Sequence, residues 1–205
     1  MQQREQQART RLASAERELP YALDSLNRKI GSGWKCPSVD AREFTGSQVR
    51  FVPSVKVIAP FREQLIQLEQ VASAVGQRVY GRAPGRIRVA ASYVCRPVTG
   101  NGGRLSEHAL GNAIDITAFE FPASYTVGPD RSLINLTLAG ELEVRVDRHW
   151  HAQGDPVVER HARFLSELTD ELVARRVFRT YLGPAHPDHK DHFHFDMAPH
   201  WHVNL

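Results

Sequence analysis

Two short stretches of this 205-residue chain concentrate side chains that bind metals or move protons. The first is Ser106-Glu107-His108-Ala109-Leu110-Gly111-Asn112-Ala113-Ile114-Asp115. The second is His189-Lys190-Asp191-His192-Phe193-His194-Phe195-Asp196. If His108 lies in a loop and Asp115 on the strand that follows, Gly111 between them allows a tight turn, and imidazole and carboxylate can be aimed at one point. In the second stretch, the two-residue period of a strand puts His192, His194 and Asp196 on one face. Phe193 and Phe195 then point the other way, into a core. His108, Asp115 and one histidine of the second stretch make a three-ligand set of nitrogen and oxygen donors. That set suits Zn²⁺ and leaves a fourth position for water, as catalytic zinc sites require. Zinc brings the pKa of such a water to about 7, which supplies hydroxide at neutral pH. Either stretch alone is a weak signal, because short motifs occur by chance. Together they supply complementary ligands.

The elements that must position these groups follow from periodicity. Arg86 to Val94 alternates through Ile87, Val89, Ala91 and Tyr93, the pattern of a strand with one buried face. Thr99 to Gly103 reads as a loop. Asn112 to Phe121 alternates again, with Ala113, Asp115 and Thr117 on one side and Ile114, Ile116 and Ala118 on the other. Pro60 opens a helical pattern carrying Leu65, Leu68, Val71, Ala72 and Val75, which ends near Gly76 or Gly81. The longest helical pattern runs from Pro156 to about Phe178. Short strands are expected at Val49 to Ile58, interrupted by Pro53, and at Tyr125–Val127, Leu133–Leu138, Leu142–Val146 and Phe193–Met197. The mixture predicts an α+β domain over 33–205, with a small antiparallel sheet that carries the zinc site and is flanked by helices. Residues 1–32 form a separate N-terminal helical segment. Leu12, Leu19 and Leu26 recur there every seven residues, Pro20 kinks the pattern, and Gly31-Ser32-Gly33 closes it. Packing on its own domain is the favoured role for that segment, and an oligomer or activator contact is the alternative.

Composition excludes several classes. No stretch approaches the roughly 18 uninterrupted apolar residues of a membrane span, and Met1 to Gln7 has no apolar signal-peptide region. The net charge of +3 and pI near 9.1 suit an anionic partner, but the basic residues are spread out, so a nucleic-acid partner is not expected. Cys36 and Cys95 permit one disulfide and do not demand it. Of the ten histidines, His149, His151, His161, His186, His200 and His202 read as surface or rim residues, and Glu107 as solvated.

Ser106-x-His108-x-x-Gly111-x-Ala113-x-Asp115 resembles the Ser-x-His-x-x-Gly-x-x-x-Asp motif of zinc D-Ala-D-Ala carboxypeptidases and related peptidoglycan endopeptidases. With Ser92-Tyr93-x-Cys95-Arg96, Leu182-Gly183-Pro184 and His189-x-Asp191-His192-Phe193-His194-x-Asp196, the chain resembles the bacterial extensin-like C-terminal domain family. Four blocks occur in order between roughly residues 50 and 199.

The resemblance implies a zinc metallopeptidase of the cell envelope or periplasm, acting on an amide at a D-amino acid in peptidoglycan stem peptides. It makes His108, Asp115 and His194 the zinc ligands. It offers His192 and Asp191 as alternative bases, with His192 favoured because its His-x-His pattern is complete. It gives Arg96 a substrate carboxylate or carbonyl to hold, or the oxyanion. Ser106 and His189 become partners that orient ligands, Asp196 either does the same or hydrogen-bonds a loop, and Ser106 lies within reach of substrate. Whether the enzyme is an endopeptidase or a carboxypeptidase depends on whether its groove is open at both ends. The rival is a non-catalytic wall-binding or scaffold module that retains a metal site. One departure stands out: family members often carry a cysteine before Leu-Gly-Pro, and here Ala174 to Phe178 has none. Cys95 is left to pair with Cys36 or to stay free, and export favours pairing.

Overall fold

The computed structural model describes residues 28–33, 35–99, 101–124 and 140–205, with only the backbone described at 101 and 102. Of the helical segment expected over 1–32, residues 1–27 lie outside the described residues, as do the strands expected at 125–127 and 133–138, while residues 28–30 are extended rather than helical because their backbone bonds to Gly103 and Leu105. In chain order the elements are β1 (Ala41–Phe44), β2 (Arg50–Val52), β3 (Val55–Ile58), helix α1 (Ala59–Tyr80), β4 (Arg86–Ala91), β5 (Pro97–Val98) and β6 (Asn101–Leu105). They continue with a 3-10 turn (Glu107–Leu110), β7 (Ala113–Phe121), β8 (Leu142–Arg145), α2 (Val146–His149), α3 (Pro156–Ala174), β9 (Thr180–Leu182), β10 (Phe193–Asp196) and β11 (His202–Asn204).

Seven strands form one sheet in the order β11-β9-β10-β7-β4-β2, with β8 also paired to β7. The sheet is larger than the one expected, and it is mixed. β2 pairs parallel with β4, and β11 parallel with β9. Each parallel pair is joined by a crossover, through β3 and α1 in one case and through β10 in the other, as parallel neighbours require. Two small antiparallel ribbons, β1–β3 and β5–β6, complete the described strands.

Helix α1 starts with a proline in its first turn and ends at Gly81, whose φ of 71° and N–H bond to Gln77 O make a left-handed cap. Asp155 caps α3 by accepting from Val157 N and Val158 N. The two helices pack together, and their apolar stripes meet Ile114, Ile116, Phe119, Phe121, Phe193 and Phe195 in a single core. Gly76 sits where α1 comes closest: an added Cβ would fall 2.8 Å from both Arg82 O and Phe121. Phe193 and Phe195 are buried, as their alternation predicts, which leaves His194 and Asp196 on the opposite side of β10.

Strand β7 departs from a simple alternation. Its partners on β4 run Ala118↔Arg88 and then Ile116↔Val89, so Thr117 is an extra residue. This bulge shifts the core-facing positions from Ile114 and Ile116 to Phe119 and Phe121. A second irregularity, between Val89 and Ala91, lies opposite Asp115.

Candidate metal centre

His108 is carried by the 3-10 turn, and local bonds fix it there. Ser106 Oγ accepts from His108 N at 3.3 Å, and Gly111 closes the turn with φ 63°. A side chain at Gly111 would press on Ile58 N, 3.3 Å away, which donates to Gly111 O at 3.0 Å. The imidazole Nδ1–H donates to Ser92 O at 2.8 Å, so Nε2 presents its lone pair to the interior.

Asp115 and His194 come together by register: they are direct partners in the antiparallel pairing of β7 with β10. His194 Nε2 donates to Asp196 Oδ2 at 2.9 Å, which turns Nδ1 inward. Asp196 is itself held by Ala198 N at 2.8 Å. The three inward atoms form a small triangle. His108 Nε2 lies 3.1 Å from Asp115 Oδ1 and 3.1 Å from His194 Nδ1, and His194 Nδ1 lies 2.8 Å from Asp115 Oδ1. All three residues are buried.

This donor set fits a zinc ion. Each imidazole spends its other nitrogen on an oxygen acceptor, so its inward nitrogen can offer a lone pair to a metal in place of the proton it shares with Asp115. Ligand atoms at about 2.0–2.2 Å from a tetrahedral zinc stand about 3.3–3.6 Å apart, and small side-chain rotations open the observed triangle to that size. Paired oxygen acceptors behind metal-binding histidines are the usual supporting arrangement. The electrostatics agree. Burial opposes ionisation of Asp115, but hydrogen bonds to His108 and His194 outweigh it and hold the carboxyl well below the usual range. Burial also opposes charge on His194, yet its bonds to Asp115 and Asp196 raise it to about 9. The point where the three atoms meet therefore draws positive charge, from a proton or from a metal.

His192 stands at the edge of the triangle, just before β10, with Nε2 3.8 Å from Asp115 Oδ1. Its Nδ1–H donates to Asp191 Oδ1 at 2.8 Å. Asp191 is 73 % exposed and lies behind His192, away from the triangle. The two alternative bases are thus stacked in series. His189 packs on the rings of both His192 and His194, and its Nδ1 lies 2.8 Å from His186 Nδ1. Burial and the neighbouring histidines push His189 down to about 4.

A cleft of ≈ 440 Å³ opens beside His194 and Asp196, lined by Arg96, Arg104, His189, His200 and Trp201 among others. Arg96 lies in this cleft, where Nη1 donates to Thr99 Oγ1 at 3.1 Å. Ser106 reaches the cleft wall too, although its hydroxyl is engaged in the turn. A larger cavity of ≈ 560 Å³ lies at the other end of β4 and β7, where Glu120 pairs with Arg86 and Arg88, and it contains none of the candidate ligands.

The family model for the extensin-like protein C-terminus matches residues 13–205. The chain belongs to that family. No curated protein and no solved structure matches it. The match begins well upstream of the four blocks that carry the resemblance in sequence, and takes in the residues that precede β1.

Two expectations for this extensin-like chain are corrected. Glu107 is buried rather than solvated, because Arg28 Nε and Asn112 Nδ2 both donate to its carboxylate. His161 is a buried residue of α3 rather than a surface one, with its Nδ1 2.7 Å from Tyr80 Oη. Cys36 and Cys95 form a disulfide, the pairing left open by sequence. Four contributors escaped sequence reasoning: the carbonyl of Ser92, and the side chains of Arg28, Arg104 and Asn112. A main-chain carbonyl carries no residue signature. Arg28 lies in a stretch with no motif.

Proposed function

We propose that this extensin-like domain is a zinc-dependent hydrolase of an amide bond at a D-amino acid in peptidoglycan stem peptides, with His108, Asp115 and His194 holding the metal. One observation carries the reading: three buried acceptor atoms within 3.1 Å of one another, with His192 aimed at the same point. The resemblance to wall peptidases in the motif residues supports the choice of substrate. When bound, zinc supplies Lewis-acid polarisation and an acidified water.

The chain's own residues do the rest. Asp191 fixes the tautomer of His192 and leaves the lone pair of Nε2 facing the centre. His192 takes the proton of the attacking water and returns it to the leaving amine. Asp191, exposed and behind the ring, stabilises the imidazolium that forms. Arg96 offers a planar fork to a substrate carboxylate or carbonyl in the cleft. The reading places the domain in the cell envelope, an environment in which a disulfide persists.

Digestion of purified peptidoglycan, with products identified by mass spectrometry, tests this. Zinc-loaded wild type should release new peptides, and His192→Ala should do so roughly 10²–10⁴-fold more slowly. Loss of crosslinked dimers identifies an endopeptidase, and loss of terminal D-Ala alone a carboxypeptidase. No cleavage by folded, zinc-loaded protein overturns the enzyme reading in favour of a wall-binding module.

A further inference from the structure

Residues 28–30 are built into the candidate metal centre. They run antiparallel beside β6: Leu105 N donates to Arg28 O at 2.8 Å, Ile30 N donates to Gly103 O at 3.0 Å, and Lys29 faces Arg104 in a bridge. Ile30 packs on Leu105, Ala109 and Leu110, two of which belong to the turn that carries His108. The added strand delivers Arg28 to Glu107, the residue before His108. Arg28 Nε donates to Glu107 Oε1 at 2.5 Å and Nη2 to Oε2 at 3.4 Å, with the two side chains only 8 % and 5 % exposed.

The other side of the same carboxylate leads to the remaining ligands. Asn112 Nδ2 donates to Glu107 Oε2 at 2.7 Å and to Met197 O at 3.3 Å, and Met197 N donates back to Asn112 O at 3.3 Å. Asn112 directly precedes β7, which carries Asp115, and Met197 directly follows β10, which carries His194. Glu107 therefore connects the turn of one ligand to the strands of the other two. A buried carboxylate in that place needs a cation, and Arg28 is the one it has been given.

We infer that Arg28 is a positioning residue of the metal site, acting through Glu107 on the turn that holds His108. The inference rests on the metal reading above. It makes the described segment before the motif blocks a working part of the site.

The test uses the full chain and Zn²⁺ itself, with affinity read by competition against a chromophoric chelator and geometry read from the visible spectrum of the Co²⁺ form. Arg28→Met should weaken zinc binding on the order of 10–100-fold, the range seen when supporting partners of ligands are lost. It should also alter the Co²⁺ bands, and Arg28→Lys should restore most of both. Breaking one partner of a buried pair also destabilises the fold. The double variant Arg28→Met/Glu107→Gln removes both charges, and should fold while still binding zinc weakly. Wild-type zinc affinity and a wild-type Co²⁺ spectrum in the folded double variant would assign Arg28 a purely structural role and overturn the inference. A wild-type chain that binds no zinc overturns the metal reading and this inference together.

Discussion

At His194 one imidazole serves two purposes, one for each nitrogen. Nε2 binds Asp196 and Nδ1 faces the triangle, so Asp196 sets the orientation of the ring and the basicity of Nδ1. At His192 the same geometry recurs, because Asp191 holds Nδ1 and leaves Nε2 facing the triangle, where the proposed function has it exchange a proton. The two aspartates should therefore separate in their effects. Asp196→Asn should lower zinc affinity on the order of 10–100-fold. Asp191→Asn should leave zinc affinity as it is and slow turnover, since a neutral amide stabilises the imidazolium less. Chelator competition and peptide release, measured on the same samples, check both. Loss of zinc on Asp191→Asn would show that residue to support a ligand rather than a base. The meeting of His108 and Asp115 with a histidine of the second stretch was legible at this scale, because the turn at Gly111 and the two-residue period of the strands aim them at one point. Their second partners were only half legible. Asp196 stood on the correct strand face, whereas the carbonyl of Ser92 depends on where β4 ends against the turn.

Elements show where a sequence pattern was read with the wrong weight. The stripe on α3 runs through His161, Phe164, Leu165, Leu168 and Leu172, and all five are buried. Period alone places His161 inside, and its residue type argued it to the surface. Tyr80 Oη on α1 supplies the polar partner that makes this burial tolerable. Likewise the alternation of β7 was legible as far as Ile116, but the bulge at Thr117, which turns Phe119 and Phe121 rather than Ala118 to the core, is set by pairing with β4. Burying His161 has a pH signature. Burial, then the nearby charges of His149 and Arg160, push it from 6.5 to about 4 in the fold. Between pH 6.5 and about 4 the unfolded chain then binds the extra proton, so stability is full above 6.5 and falls as pH drops through that window. The slope for one proton is at most about 1.4 kcal/mol per pH unit. His189 moves in the same direction, so the slope should shrink in His161→Gln without vanishing. Urea midpoints at pH 7 and pH 4.5 measure it. An acid slope in the variant equal to that of the wild type would place the titrating group elsewhere.

Across the whole molecule, the sheet separates two jobs. One face is covered by α1 and α3 and holds the apolar core. The other carries the ligand triangle, fenced by the β5–β6 ribbon and the segment before β1. The core face was legible because hydrophobic period needs no partner to be read. The fence was not, because it depends on long-range pairings, of residues 28–30 with β6 and of Cys36 with Cys95, that have no local pattern. No described helix is long and apolar enough to cross a membrane. The disulfide bridges a sequence separation of 59 residues, from the approach to β1 to the residue before Arg96. Closing a loop of that length in the unfolded chain is worth about 4 kcal/mol in the chain-entropy account. Cys36→Ser/Cys95→Ser should therefore lower the urea midpoint by an amount approaching that figure. The triangle itself is set by the β7–β10 register and by the turn at Ser106 with its Arg28–Glu107 support, and serine, close to cysteine in size, keeps the contact that Cys36 makes with that turn. Zinc affinity of the folded double serine variant should accordingly stay within a few-fold of wild type. A large loss of zinc with little loss of stability would reverse that division, and would mean that the covalent tie acts on the site rather than on the fold.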